Sequence, residues 1–330
     1  MKRWFLSLAV LAVVLALLAG ATLYLAPLQV SDAGIRLKLW REGVHSRYVE
    51  VDGYRIHYFE APAAGSQPGI PLLLVHGLGA RGEDWAAMIP ALAAKGFHVY
   101  APDLLGYGRS PRPDVNYAIS LEEKTVADFM AAVGLKRADV GGWSMGGWVA
   151  LKLTIDHPEL VNRLVIYDSA GIYFPATFPP SLFTPRDGAG LVRLQAMLSP
   201  DPPKLPAFVQ NAAIRKLHRN GWVIDRSVSA MLNGRDLLDF KLQNIHRPTL
   251  IVWGSADKLI PLSVGETMHR DISGSLLLVI DGCGHLAPLE CSKPVVSGTV
   301  GFLRADPPLA GGEISLPGRY DQPSTKSNTP

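Results

Sequence analysis

The chain has 330 residues, 48% of them hydrophobic and 18% charged, which excludes a disordered chain. Two cysteines are too few for a disulfide scaffold or a four-cysteine zinc site. The net charge of +3 is too small for a nucleic-acid binder, and residues 1–50 hold all of it, with six Lys/Arg against three Asp/Glu.

Met1-Lys2-Arg3 precedes residues 4–26, 23 positions without a charge. As a helix this stretch spans roughly 34 Å, enough for a bilayer core of about 30 Å. Residues 1–28 are therefore expected to form an N-terminal membrane anchor. The alternative is a cleaved signal peptide, with Ala19-Gly20-Ala21 as its small-residue site and a secreted product. Lys2 and Arg3 abut the span, while Arg36, Lys38 and Arg41 follow it at a distance. This charge placement favours an extracytoplasmic domain.

Residues 29–47 are expected to be a linker. Apolar–polar alternation on both sides of Asp52-Gly53 predicts a hairpin over residues 48–59. Short apolar runs follow at 72–75, 99–101, 138–141, 164–167, 250–252 and 276–280. Helical patterns lie between them near 84–95, 120–133, 145–156, 262–271 and 289–303. Ser120 with Glu123 suggests a capping box, and Gly134 is placed to close that helix. Continuous apolar strands alternating with helices predict an α/β fold, a mostly parallel sheet with helices on both faces. The alternation breaks between residues 169 and 246, where a Pro-rich start leads into helical patterns. This stretch is expected to be a helical insertion above the sheet. Residues 305–330, rich in Pro, Gly, Ser and Thr, are expected to be a disordered tail.

Gly142-Trp143-Ser144-Met145-Gly146 matches G-x-S-x-G, following an apolar run and opening a helix. The chemistry needs that context: a tight strand-to-helix turn leaves the serine hydroxyl free at a helix N-terminus. A serine hydroxyl is a weak nucleophile and needs a base. Of nine histidines, His285 sits in a glycine-flanked loop just after the last apolar run and is the candidate base. His76, His157 and His246 have contexts that suit structural roles. Asp257, after the 250–252 run, is the candidate acid that orients the base, and Asp168 is its rival. The oxyanion donors are expected to be the N–H groups of Met145 and of Leu78 in His76-Gly77-Leu78-Gly79.

Taken together, residues 48–304 resemble an α/β-hydrolase fold enzyme. His76–Gly79 resembles the family's HGxG, Asp103-Leu104-Leu105-Gly106-Tyr107-Gly108-Arg109-Ser110 its D-x-x-G-x-G-x-S loop, and Ser144, Asp257 and His285 its triad in family order. The resemblance implies a helical cap between the sixth and seventh core strands, where residues 169–246 fall. The sequence shows no metal or phosphate site, and the expected chemistry needs no cofactor. A serine nucleophile argues against the aspartate-dependent dehalogenases and epoxide hydrolases of this fold. The anchor and the apolar cap entry (Phe174, Phe178, Leu182, Phe183) are similar to membrane-tethered monoacylglycerol lipases and bacterial esterases. The same four residues could simply pack the cap onto the sheet. Hydrolysis of lipid-like acyl esters is thus the expected activity. C–C bond hydrolysis by the same triad and a non-catalytic, membrane-tethered binding module are the alternatives. Cys283 and Cys291 flank His285, and the sequence leaves open whether they pair.

Overall fold

A computed structural model describes residues 2–65 and 68–318. In chain order, helices α1 (Lys2–Leu25) and α2 (Pro27–Arg41) lead into strands β1 (His45–Val51) and β2 (Tyr54–Ala61). The order continues β3 (Ile70–Val75), α3 (Ile89–Ala93), β4 (Phe97–Pro102), α4 (Ile119–Ala132), β5 (Ala138–Trp143), α5 (Met145–Asp156) and β6 (Val161–Tyr167). Helices α6 (Gly188–Leu198) and α7 (Ala207–Leu232) precede β7 (Thr249–Gly254), α8 (Leu262–Asp271) and β8 (Leu276–Asp281). The described chain closes with α9 (Ala287–Glu290), α10 (Ser292–Arg304) and β9 (Glu313–Pro317).

Nine strands form one sheet in the order β1-β2-β4-β3-β5-β6-β7-β8-β9. The β1–β2 and β2–β4 pairs are antiparallel and the rest parallel. Asp52 and Gly53 both take positive φ (48° and 78°), as a two-residue hairpin turn with the twist of its strands requires. Strand alternation divides the core into two layers. Leu73 and Val75 of β3 join Val140, Ile251 and Trp253 on one face. Leu72 and Leu74 join Val165, Leu250 and Val252 on the other. The chain leaves β3 towards β4 on one side and returns to β5 on the other. The carboxyl ends of β3 and β5 therefore border the crevice of a topological switch point.

Several sequence expectations change here. Residues 29–47 are not a linker: most belong to α2, which Pro27 opens at its first turn and which Asp32 and Arg36 pin to the domain. Arg81 binds Asp32 through two hydrogen bonds (2.6 and 3.0 Å), and Arg36 pairs with Glu83 at 3.2 Å. The tail expected over 305–330 contains β9, which extends the sheet by pairing with β8; residues 319–330 lie outside the described residues. The Ser120–Glu123 capping box is absent, because Ala118 stands at the N-cap of α4, which makes Ser120 its second helical residue, and Glu123 turns towards His157. Among the described residues no single helix is long and apolar enough to cross a membrane. Leu11–Leu25 with Pro27–Arg41 is so only as a pair, bent by 102°. Proline cannot extend the preceding helix without losing a hydrogen bond and clashing, which accounts for a break at Ala26–Pro27. The described apolar side chains of α1, among them Trp4, Phe5, Leu8 and Leu25, stand exposed.

Candidate active site

Ser144 occupies the single-residue turn between β5 and α5 with φ 57° and ψ −120°, a region that a residue with a Cβ adopts only under constraint. The constraint comes from both sides. Ser144 N–H donates to the Tyr167 carbonyl (2.9 Å), and its own carbonyl accepts from Gly147 N–H (3.0 Å). Gly146 lies so close to β3 that a Cβ there would overlap the Val75 carbonyl, so only glycine lets α5 start against the sheet. The result sets the Ser144 hydroxyl at the positive end of a 12-residue helix.

His285 reaches this hydroxyl from the loop between β8 and α9, with Nε2 2.9 Å from Ser144 Oγ. Its Nδ1 lies 2.8 Å from Asp257 Oδ2. The carboxylate can only accept, which assigns the proton to Nδ1 and leaves Nε2 free to take one from serine. Asp257 is in turn held by Leu259 N–H (2.8 Å) and Ile260 N–H (3.0 Å), both on Oδ1. The ring of His285 is buried, and a disulfide between Cys283 and Cys291 closes its loop. Trp143, the residue before Ser144, donates its indole N–H to the His285 carbonyl at 2.8 Å.

Asp168, the rival acid, sits at the end of β6, fully buried, and accepts from Gly254 N–H at 2.7 Å. Burial, and then the neighbouring Asp257 charge, raise its carboxyl well above the usual range. It is Asp257, not Asp168, whose carboxylate faces the histidine.

The His76–Gly79 loop follows β3 and lies against Ser144. A Cβ on Gly77 would stand 3.1 Å from Ser144 Cβ. Leu78 and Met145 both border the cavity that contains Ser144. As the first residue of α5, Met145 has an N–H without a partner inside the helix. His76 sets the loop rather than reacting: its Nδ1–H donates to the Gly77 carbonyl (2.8 Å), and its Nε2 accepts from Leu104 N–H (3.0 Å). That geometry needs the neutral ring, and burial lowers its pKa accordingly. Leu104 belongs to the Asp103–Ser110 loop, which is itself built around one carboxylate. Asp103 accepts from Gly82 N–H, Arg109 N–H and His57 Nδ1–H at 2.7–2.8 Å. Burial opposes its ionisation, but the His57 bond and the other donors outweigh this and hold it below the usual carboxylate range.

Sequence reasoning missed Trp143 and His57 as supports. Both act across strands or loops distant in the chain, so no local spacing reports them. His157 and His246, expected to be structural, lie away from the triad: His157 faces Glu123 and Glu159, and His246 is exposed three residues before β7.

Ser144 stands between two cavities. One, of about 220 Å³, is almost wholly apolar and is walled by Trp148, Phe174, Phe178, Phe183, Val228 and Met231. The other, of about 260 Å³, contains His285 and continues past Gly79, Ala80 and Leu217 to Asp84. Burial pushes the Asp84 carboxyl up to about 6 against the pull of Arg81.

Residues 72–297 match the sequence model described as "Alpha/beta hydrolase family", more than half of the chain. The chain belongs to this family. Within this alpha/beta hydrolase family, the chain is 30% identical over 272 residues to a 2-hydroxy-6-oxo-6-(2'-aminophenyl)hexa-2,4-dienoic acid hydrolase of Metapseudomonas resinovorans, covering 79% of this chain and 92% of that one. It is 27% identical to Lipase 1 of Psychrobacter immobilis over 68% of this chain and 74% of the lipase. The crystal structure of a membrane phospholipase A superposes with a TM-score of 0.76 at 28% identity, covering 92% of this hydrolase and 98% of the phospholipase.

Proposed function

We propose that this hydrolase cleaves carboxylic esters of lipid-like acyl chains through a covalent acyl-serine intermediate. What supports this most is the position of Ser144 Oγ. It is already within hydrogen-bond reach of His285 Nε2, and it sits in the wall of a cavity that offers an acyl chain almost wholly apolar and aromatic surface. His285 takes the serine proton as Oγ attacks the ester carbonyl. The Asp257 carboxylate stabilises the imidazolium, and the N–H groups of Leu78 and Met145 receive the oxyanion. Collapse of the tetrahedral intermediate breaks the C–O bond, and His285 returns the proton to the leaving alcohol. Water, deprotonated by the same histidine, then releases the fatty acid and restores Ser144.

The likeness to a lipase and to a membrane phospholipase A agrees with this activity. The likeness to dienoic acid hydrolases supports a second activity, C–C bond cleavage of a vinylogous diketone by the same triad. The intact triad geometry weighs against a non-catalytic binding module.

We further propose that the catalytic domain works outside the cytoplasm, at a membrane that receives the exposed apolar side chains of α1. The disulfide beside His285 supports this, because such bonds persist in oxidising compartments.

A panel of p-nitrophenyl acyl esters of increasing chain length, run beside a ring-fission dienoate, tests the proposed activity. Saturable hydrolysis of medium or long esters, with a fluorophosphonate label on Ser144, is the expected result. Turnover of the dienoate alone would transfer the assignment to C–C cleavage.

A further inference from the structure

Helix α7 roofs the whole length of the site and changes character along it. Its C-terminal part gives Val228 and Met231 to the apolar cavity beside Ser144. Its middle gives Leu217 and Ile224 to the cavity that holds His285. Its N-terminal half gives Lys216, and its midpoint Asn220, to two further cavities. These adjoin in series. The cavity at His285 shares Gly79, Ala80, Asp84, Leu217 and Ile224 with a neighbour of about 350 Å³. That neighbour shares Leu28, Arg112, Lys216 and Asn220 with an outer cavity of about 640 Å³. The outer cavity opens at the α1–α2 junction, where Leu25 and Leu28 line it and Tyr24 of α1 stacks on Phe208 of α7 at 5.3 Å.

The charge at this outer end is unbalanced. Arg112, Arg215, Lys216 and Arg219 line it, and among the described lining residues Asp32 is the only carboxylate. Arg81 already holds both oxygens of Asp32, which leaves Lys216 at 3.8 Å from it. Arg112 spends one N–H on the Gly108 carbonyl, while its Nε is buried without a hydrogen-bond partner. Burial, and then the Arg81 charge, hold the Lys216 ammonium below the usual lysine range. A second anion in the cavity would relieve both effects.

Apolar at one end, reactive in the middle and cationic at the other, the passage has the polarity of a charged amphiphile. We propose that Lys216 and Arg112, with Arg215 and Arg219 at the rim, bind the phosphate of an anionic glycerolipid whose ester carbonyl lies at Ser144. This deepens the ester-hydrolase activity proposed above and rests on it. The phosphate end faces the surface where α1 leaves the domain, so the substrate would enter from a lipid interface.

The test compares two esters with the same acyl chain, lysophosphatidate and monopalmitoylglycerol, on full-length enzyme in mixed micelles of a neutral detergent. The wild type should favour the phosphate-bearing ester in kcat/KM. Lys216→Gln should reduce that preference roughly tenfold, the usual worth of one charge-assisted hydrogen bond, and Lys216→Arg should restore most of it. Arg215→Gln/Arg219→Gln, changed on the exposed rim, supplies a second variant should Lys216→Gln melt early. A preference identical in wild type and both variants overturns the headgroup site. So does a melting temperature raised by millimolar inorganic phosphate in the wild type but not in Lys216→Gln, if lysophosphatidate shows no preference. That pattern assigns the pocket to soluble phosphate. A wild type that hydrolyses neither these esters nor p-nitrophenyl butyrate refutes the ester hydrolase itself and is thereby distinguishable.

Discussion

Asp257→Asn perturbs the triad at one atom while leaving its scaffold. In the native site Oδ1 accepts two backbone N–H groups, from Leu259 and Ile260, and Oδ2 accepts from His285 Nδ1. An asparagine must keep its carbonyl oxygen on the two N–H donors, since the alternative buries three donors against one another. Its NH2 group then faces Nδ1, which must become the acceptor, and the imidazole proton moves to Nε2. Nε2–H now points at Ser144 Oγ and cannot take the serine proton. A tautomer error of this kind costs about 10⁴-fold in kcat, equivalent to about 5.5 kcal/mol. The assay is steady-state hydrolysis of p-nitrophenyl butyrate, with thermal unfolding followed in parallel. The melting temperature should change little, because both backbone hydrogen bonds survive. A loss of less than about tenfold would refute the tautomer argument. Asp168→Asn introduced into Asp257→Asn then shows why: if activity survives the first change and falls with the second, the acid role has passed to Asp168, freed to ionise once the neighbouring charge is gone.

Three further outcomes are expected. Ser144→Ala should reduce ester turnover by on the order of 10³-fold or more and abolish fluorophosphonate labelling, with melting unchanged. Asp139, almost fully buried in β5, has its carboxyl pushed up to about 7 by burial, against the attraction of Arg163. Its folded pKa lies above the unfolded value of 3.8, so its contribution to stability is complete below that value and is lost as pH rises through 7. At about 1.36 kcal/mol per pH unit this amounts to roughly 4 kcal/mol. Urea melts of Asp139→Asn should therefore decline less between pH 5 and 8 than those of the wild type; parallel curves would disprove the assignment. Finally, Cys283→Ala/Cys291→Ala opens a loop of sequence separation 8. It should lose about 2.5 kcal/mol on chain-entropy grounds, and reductant should affect the wild type similarly but not the variant.

Most of the sheet was legible in the sequence because its parallel strands are buried on both faces and appear as unbroken apolar runs. Ile70–Val75 and Leu276–Asp281 differ from the expected runs only at their ends. The motif residues were legible for a related reason: Ser144, His285 and Asp257 each follow a strand, where a turn must present them. Strand β9 was not, since Glu313-Ile-Ser-Leu-Pro carries little apolar content and its pairing with β8 is made across the chain. Helix α2 was hidden by mixed polarity, its order resting on Asp32 and Arg36 meeting Arg81 and Glu83 some 47–49 residues away. The membrane-length run of residues 4–26 predicted a span, yet the helix it belongs to meets Pro27 and turns sharply.

The bond from the Trp143 indole to the His285 carbonyl has a consequence for how the site is held together. Trp143 is covalently joined to the nucleophile, so the backbone carrying the base is tethered to the backbone carrying the serine. In the sheet β6 and β7 stand between β5 and β8, so this bond links directly the end of β5 and the loop after β8, which the strand order keeps apart. The contact between Ser144 and His285, 141 residues apart in the chain, is thus bridged a second time through the residue next to the serine.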